Sequence, residues 1–161
     1  MQQQSLRLAD NICISSEHVV KVLGVQIDDK LTFRDHISSI CKKAARQLNA
    51  MARIAKYLDL DARKMVYNSF ILSNFNYCPI VWHFCGKSSN KKLEKIQERA
   101  LRILHNDYSS TYSELLMKTG GNTLLISRLK LSAIEVFKCL KGENPSCLNS
   151  MFHVKDNLFP S

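Results

Sequence analysis

Two adjacent aspartates, Asp28 and Asp29, end an apolar stretch that begins at Val22. Paired carboxylates at the tip of a strand can hold Mg²⁺ ions for phosphoryl transfer, because hard divalent cations prefer oxygen ligands. Such a site also needs a carboxylate from a neighbouring strand, and only Asp10 and Glu17 lie upstream. The residues after the pair have the pattern of a helix start. We therefore interpret the pair as a strand-to-helix turn, with a catalytic metal site as the alternative.

The other residue types that could do chemistry are not arranged as a site. Cys78, His83 and Cys85 are metal-capable, but a closed zinc site needs four ligands, usually as two close pairs. The five histidines are dispersed, and no nucleophile motif or Gly-rich phosphate loop is present. We expect no catalytic residue, metal, cofactor or small-molecule substrate, and a small zinc module is a weaker alternative.

The charge balance indicates the class of partner. The chain of 161 residues carries 23 Lys and Arg against 14 Asp and Glu, a formal net charge of +9. A basic surface attracts polyanions, so nucleic acid is the expected partner. The N-terminal residues lack a secretory pattern, and the six cysteines lack a disulfide framework spacing. We expect an intracellular protein, nuclear or cytoplasmic, that is not secreted and has no membrane partner.

The basic residues that could contact phosphates lie on two predicted helices. Four of them follow one another at steps of four, four and three residues along one helix face. The candidate nucleic-acid-binding residues are Lys42, Arg46, Lys91, Lys95, Arg99 and Arg102. The alternative is a solvated face held by ion pairs such as Lys95–Glu98 and Glu98–Arg102. Because no base-reading motif is visible, we expect sequence-tolerant contact with the backbone.

The elements that must position these residues begin with β-branched segments. Segments 11–14 and 19–27 predict a β-hairpin that turns at 15–18. Apolar residues at steps of three and four then predict one long helix over about 34–57. Thr32 and Asp35 have the spacing of a capping box at its start.

Four further helices complete the predicted fold. The first of them is capped by Asp59 or Asp61 and interrupted by Pro79, and the second covers about 90–105. The third begins at a Thr111–Glu114 capping box and stops at Gly120-Gly121, and the fourth covers about 123–141 and stops at Gly142. The residues expected to face inward from the last helix are Leu129, Ala133, Val136, Phe137 and Leu140. The prediction is a mainly α protein, a bundle of about four to five helices with an N-terminal β-hairpin.

Several segments resemble, in this order, the carboxy-terminal part of the reverse transcriptases of jockey-like, LINE-type non-LTR retrotransposons. They are VKVLGVQIDDKLTFRDHI, FNYCPIVW, LEKIQERALRIL, SSTYSELL and RLKLSAIEVFKCLKGENPSCLNSMF. The resemblance covers about residues 10–152, and the order and spacing of the segments carry it. One departure is Arg128-Leu129-Lys130, where a paired arginine is expected.

The resemblance implies part of an RNA-directed DNA polymerase that copies the RNA of a mobile element. It implies a residual palm hairpin over 1–31, a thumb and post-thumb bundle over 32–142, and a loosely ordered tail over 143–161. The implied partners are an RNA–DNA hybrid or duplex and the palm and fingers of the parent polymerase.

The resemblance also implies where the catalytic carboxylates lie. In that family they precede the strand that corresponds to Val22–Val25, so we expect them to be encoded before residue 1. The chain by itself is then a non-catalytic fragment that binds primer–template. A helical protein-interaction module with no nucleic-acid role is the alternative.

Overall fold

The structure is a computed structural model that describes residues 5–7, 13–15 and 17–152. Four strands in this part of the chain form two antiparallel pairs, β1 (Ser5–Arg7) with β2 (Cys13–Ser15) and β3 (Val19–Val22) with β4 (Val25–Asp28). Six helices follow them: α1 (Arg34–Ile54), α2 (60–76), α3 (Lys87–His105), α4 (Tyr112–Thr119), α5 (Leu124–Lys141) and α6 (Ser146–Asn149). The predicted fold class, a mainly α bundle with an N-terminal β-hairpin, is confirmed.

The hairpin turns at Leu23-Gly24. Both residues have positive φ, 47° and 87°, which is the requirement of a two-residue turn between twisted strands. The sequence predicted that segment 19–27 pairs with 11–14. In the structure, segment 19–27 instead folds back on itself. Cys13–Ser15 pairs with Ser5–Arg7. The predicted hairpin between 11–14 and 19–27 was wrong, because the Leu-Gly step turns the chain within the second segment. Residues 11, 12 and 16 of that prediction lie outside the described residues.

The start of α1 is organised by Asp28. Its carboxylate accepts hydrogen bonds from the backbone N–H of Lys30, Thr32 and Phe33, at 3.2, 3.0 and 2.6 Å. The Thr32 hydroxyl also donates to this carboxylate, at 3.2 Å, and the residue that precedes the helix is Phe33, with no side-chain cap. The predicted capping box of Thr32 and Asp35 was therefore wrong, because the Thr32 hydroxyl already serves Asp28.

Three helices form the centre of the bundle. The side chain of Arg99 on α3 donates to Asn49 on α1, and Lys92 on α3 lies close enough for its charge to act on the Cys41 thiol of α1. The two contacts follow in the same order along both helices, so α1 and α3 run side by side in the same direction. The start of α2 lies against the end of α3, where Arg63 donates to the backbone oxygen of residue 104 at 2.9 Å. The helix α2 is therefore antiparallel to α3.

The core fills the space between these helices. Its fully or almost fully buried side chains are Ile37, Ala44, Leu48 and Met51 from α1, Tyr67, Ile71 and Phe75 from α2, and Leu93, Ala100, Leu101 and Leu104 from α3. The helix α2 is α-helical over Leu60–Val66, π-helical over Tyr67–Leu72 and α-helical over Ser73–Asn76. It ends before Pro79, as predicted.

Trp82, in the segment between α2 and α3, is fully buried. Its indole N–H donates to the backbone oxygen of Tyr77 at 3.1 Å. The ring lies 6.1 Å from the ring of His36 on α1 and 4.7 Å from the guanidinium of Arg128 on α5. Three parts of the chain that are distant in sequence therefore meet at this one side chain.

The caps of the later helices agree with those predicted from the sequence. Thr111 and Glu114 form the predicted capping box of α4, with the Thr111 backbone N–H donating to Glu114 at 2.7 Å. Gly120 and Gly142 follow α4 and α5 in the left-handed conformation, at φ of 68° and 76°. Glycine adopts this conformation without a steric cost, which is why both helices stop there.

The buried face of α5 differs from the prediction. The residues of α5 that are buried are Leu124, Arg128 and Cys139. Leu129 and Phe137 are each 57% exposed, and Ala133, Val136 and Leu140 are exposed as well. The predicted inward face is thus turned outward, because the helix is anchored through Arg128, which stacks on Trp82 and donates to Asn90.

Candidate nucleic-acid interface

Two rows of basic side chains lie on neighbouring helices. On α1, Lys42, Arg46 and Arg53 are exposed and are spaced four and seven residues apart, so they follow one ridge of the helix. On α3, the exposed Lys91, Lys95 and Arg99 follow another ridge. We call these six residues the α1–α3 basic surface.

One hydrogen bond shows that the two rows share a surface. The Arg99 guanidinium reaches across the boundary between the helices and donates to the Asn49 side chain at 2.9 Å. Asn49 lies between Arg46 and Arg53 on the same ridge of α1. Since packed helices lie about 8–10 Å apart, the rows are close enough to contact one polyanion together.

The ion pairs of the solvated-face alternative form only in part. Glu98 binds Arg102 at 2.8 Å, as that alternative predicted. Among the described residues, neither Lys91 nor Lys95 has a carboxylate oxygen within ion-pair distance. The charges of these two lysines are therefore not neutralised on the protein.

Arg102 differs from the other predicted binding residues. Its guanidinium donates to the backbone oxygens of Tyr108 and Ser110, at 2.9 and 3.1 Å, and to the Glu98 carboxylate. The side chain is 23% exposed. These three contacts hold the loop that follows α3, so the structure places Arg102 in the fold and the other five candidates on the basic surface.

A polar cavity of about 440 Å³ lies between the β3–β4 hairpin, α1 and the end of α2. It is lined by Lys21, Gly24, Gln26, His36, Ser39, Ile40, Lys43, Ser73, Asn74 and Tyr77. Two lysines and no acidic residue line it, so it favours an anion. Sequence reasoning missed Lys21 and Lys43 because a strand and a helix bring them together from separate segments.

His36 is the buried titratable group of this cavity. It is 3% exposed, and its Nδ1 accepts a hydrogen bond from the backbone N–H of Gln26 at 3.4 Å. Burial lowers the pKa of His36 because it disfavours the charged imidazolium. The imidazole is therefore held neutral and joins α1 to the hairpin.

The paired aspartates have separate roles. The carboxylate of Asp28 accepts all the hydrogen bonds described above, and the Thr32 backbone N–H in particular lowers its pKa. Asp29 is exposed and lies 3.4 Å from His18. The interpretation of the pair as a strand-to-helix turn is confirmed. In the part of the chain that the structure describes, no group of three or more His, Cys, Asp or Glu is placed to hold a metal ion.

Comparison with known proteins shows sequence similarity to two transposon proteins. Over 98 residues, 59% of the chain, it is 24% identical to a probable RNA-directed DNA polymerase from transposon BS of Drosophila melanogaster. Over 134 residues, 78% of the chain, it is 24% identical to a probable RNA-directed DNA polymerase from transposon X-element of the same organism. The chain is thus similar, at low identity, to transposon RNA-directed DNA polymerases.

The relationship to these polymerases covers a small part of their length. The matched region is 11% of the first protein and 13% of the second. No protein-family model matches the chain, and neither does any solved structure. Of the helices within residues 17–152, none is both long and apolar enough to cross a lipid bilayer.

Proposed function

We propose that this chain is the palm-end, thumb and post-thumb part of a jockey-like, LINE-type RNA-directed DNA polymerase, and that it binds primer–template nucleic acid. Residues 1–31 are the end of the palm, 32–142 are the thumb and post-thumb bundle, and 143–161 are a tail. The observation that carries the proposal is the Arg99–Asn49 hydrogen bond, because it joins two basic rows into one surface.

The α1–α3 basic surface binds the sugar-phosphate backbone. Lys and Arg that neutralise phosphates release condensed counterions, and this release favours binding without regard to sequence. The cavity with Lys21 and Lys43 extends the positive surface along α1 toward the hairpin. A hybrid duplex contacts the basic surface with consecutive phosphates of one strand and reaches the cavity with a phosphate near its end.

The chain contributes positioning and not the chemical step. Asp28, the acidic residue that best imitates a metal ligand, is used to start α1. The metal-binding carboxylates, the remainder of the palm and the fingers belong to other parts of the polymerase. The proteins that this chain resembles are many times longer than the matched region.

A salt titration tests this proposal. Fluorescence anisotropy with a labelled RNA–DNA hybrid measures the dissociation constant between about 50 and 200 mM salt. Four or five phosphate contacts give a slope of about −4 in log K against log salt, so affinity falls by a few hundredfold over this range. A flat salt response contradicts phosphate contact.

Charge reversal tests which surface binds. Arg46→Glu together with Lys95→Glu lowers the affinity about tenfold or more and reduces the salt slope by about 2, because two phosphate contacts are lost. The matched control is Lys30→Glu with Lys130→Glu, which changes the net charge equally at exposed positions outside the surface. An equal loss of affinity in the control means that net charge, and not the α1–α3 basic surface, determines binding.

The exposed apolar face of α5 favours a second candidate function, a helical protein-interaction module. Reversing Lys95 and Arg99 leaves the binding of a protein partner intact if these residues are only solvated. It lowers the affinity for nucleic acid about tenfold or more if the first proposal holds.

A further inference from the structure

The outward face of α5 carries a continuous apolar seam. Its positions are Ile126, Leu129, Ala133, Val136 and Leu140, which recur at steps of three, four, three and four residues. This spacing is the one by which two helices pack side chains into each other along their length. All five residues are exposed, and Leu125 and Phe137 widen the seam at its edges. We call this set of seven residues the α5 seam.

The α5 seam is nearly symmetric about Ala133. Ile126 and Leu140 lie seven residues on either side of it, and Leu129 and Val136 lie four and three residues away. A twofold contact pairs a surface with itself, so two antiparallel copies would place bulky side chains against bulky ones. The small Ala133 side chains would meet at the centre, where they permit the two backbones to approach closely.

We propose that the α5 seam is the contact between two copies of this chain, packed antiparallel about Ala133. The large side chains of the seam expose on the order of 500 Å² per copy, so a pair can bury up to about 1,000 Å², the area at which weak specific interfaces begin.

The charges beside the α5 seam fit this arrangement. The antiparallel packing keeps the two Lys130 ammonium groups about 9 Å apart along the helix axis, about one Debye length. Glu135 pairs with Lys138 at 3.0 Å on the side of the helix away from the seam. The ammonium of Lys141 lies over the Phe137 ring at 5.4 Å. No carboxylate of α5 is therefore buried by the contact.

The α5 seam is separate from the α1–α3 basic surface. The helix α5 is anchored to α3 at Asn90 and Glu94, whereas Arg99 faces α1. Asn90 and Arg99 are nine residues apart, about two and a half turns, so they lie on opposite sides of α3. Dimerisation through the seam leaves the basic surface accessible, and this inference does not depend on nucleic-acid binding.

Sedimentation velocity of the full chain tests the proposal. We expect a monomer–dimer equilibrium that shifts toward the dimer as salt rises from about 50 to 500 mM, because salt screens the repulsion between two chains of net charge +9. Binding of nucleic acid weakens with salt instead, so the two proposals fail independently. A monomer at every concentration and salt overturns the dimer.

Two substitutions locate the contact. Leu129→Glu with Phe137→Glu gives a monomer, and circular dichroism confirms that the fold is kept, as expected for exposed positions. The matched control is Met65→Glu, at a helical side chain that is 71% exposed on α2, and it leaves the dimer unchanged. A dimer that survives the first pair of substitutions overturns the assignment to the α5 seam.

Oxidative cross-linking tests the antiparallel register. In a background with Cys13→Ser, Cys78→Ser and Cys147→Ser, Ala133→Cys gives a covalent dimer because the two copies of residue 133 face each other. The background alone gives none. Leu125→Cys gives none either, since its two copies lie about 24 Å apart along the helices. Cross-linking at 125 in place of 133 overturns the proposed packing.

Discussion

At the scale of single residues, Asp28 shows how geometry decides the role of a chemically suggestive side chain. An aspartate pair after a strand is compatible with a metal site and with a turn. In the structure the Asp28 carboxylate accepts three backbone N–H groups and the Thr32 hydroxyl. A carboxylate engaged in this way stabilises the turn that leads into α1, because it is the acceptor for backbone N–H groups of residues 30, 32 and 33, which lie before the helix.

Removal of this carboxylate destabilises the fold. We expect Asp28→Ala to lower the melting temperature by several degrees, measured by circular dichroism at neutral pH, because the backbone N–H groups of residues 30, 32 and 33 lose their acceptor. The control Asp29→Ala, at an exposed neighbour, leaves the melting temperature almost unchanged.

The effect of Asp28 depends on pH in a defined direction. The pKa of Asp28 is lower in the folded state than its ordinary value of 3.8, so its stabilisation is present above that pH. It is lost as the pH falls through the folded-state value. The difference in stability between wild type and Asp28→Ala therefore shrinks in acid, and a constant difference down to the lowest pH at which the protein folds argues against stabilisation by the Asp28 carboxylate.

At the scale of elements, α5 is held by few contacts, which lie mainly in its first half. The Glu94 carboxylate on α3 accepts the backbone N–H groups of Leu124 and Leu125, at 3.4 and 3.0 Å, and the Tyr112 hydroxyl from α4. Burial and the Glu94 charge raise the pKa of Tyr112, which stays a donor. One carboxylate therefore joins α3, α4 and α5.

Loss of the Glu94 carboxylate loosens the start of α5. We expect Glu94→Ala to lower the free energy of unfolding by about 1–2 kcal/mol, as for the loss of a helix cap, measured by urea denaturation. Hydrogen exchange of the amides of residues 124–128 accelerates. The control Glu143→Ala, at an exposed residue just after α5, changes the stability little. Unchanged exchange in Glu94→Ala means that α5 is held by its side chains alone.

At the scale of the whole molecule, Trp82 is the point where the N-terminal and C-terminal parts of the bundle meet. Its ring contacts His36 and the guanidinium of Arg128, which are 46 residues before it and 46 residues after it. Arg128 is almost fully buried, and its Nε and Nη1 groups have no hydrogen-bond partner in the described part of the chain. Stacking on the indole face compensates part of this desolvation.

Truncation of Trp82 tests its role in the fold. We expect Trp82→Ala to lower the free energy of unfolding by about 3–5 kcal/mol, because it leaves a large cavity and removes the surface on which Arg128 stacks. Trp82 is the one tryptophan of the chain, so the variant has no tryptophan fluorescence. Its unfolding is therefore measured by far-ultraviolet circular dichroism. The control Phe84→Ala, at a side chain that is 89% exposed, costs less than about 0.5 kcal/mol. A similar loss in both variants contradicts the central position of Trp82.

Features that arise from interactions within a few residues could be predicted from the amino-acid sequence alone. The capping box at Thr111 and the stops at Gly120 and Gly142 were predictable, because caps and glycine conformations act over one helical turn. The extent of α1 was predictable from its apolar periodicity, although its predicted capping box was wrong. The two basic rows were also visible, since periodicity on a helix is local. The place where the two rows come together could not be predicted, because it depends on how α1 and α3 pack.

Features that depend on residues distant in the sequence are set by tertiary contacts. The tertiary structure placed the rows of α1 and α3 side by side through a contact between Asn49 and Arg99, 50 residues apart, and it engaged Arg102 with the loop that follows α3. It also turned the apolar face of α5 outward. Hydrophobic periodicity identifies such a face but not what covers it, and here Arg128 and Trp82 fix the orientation of the helix.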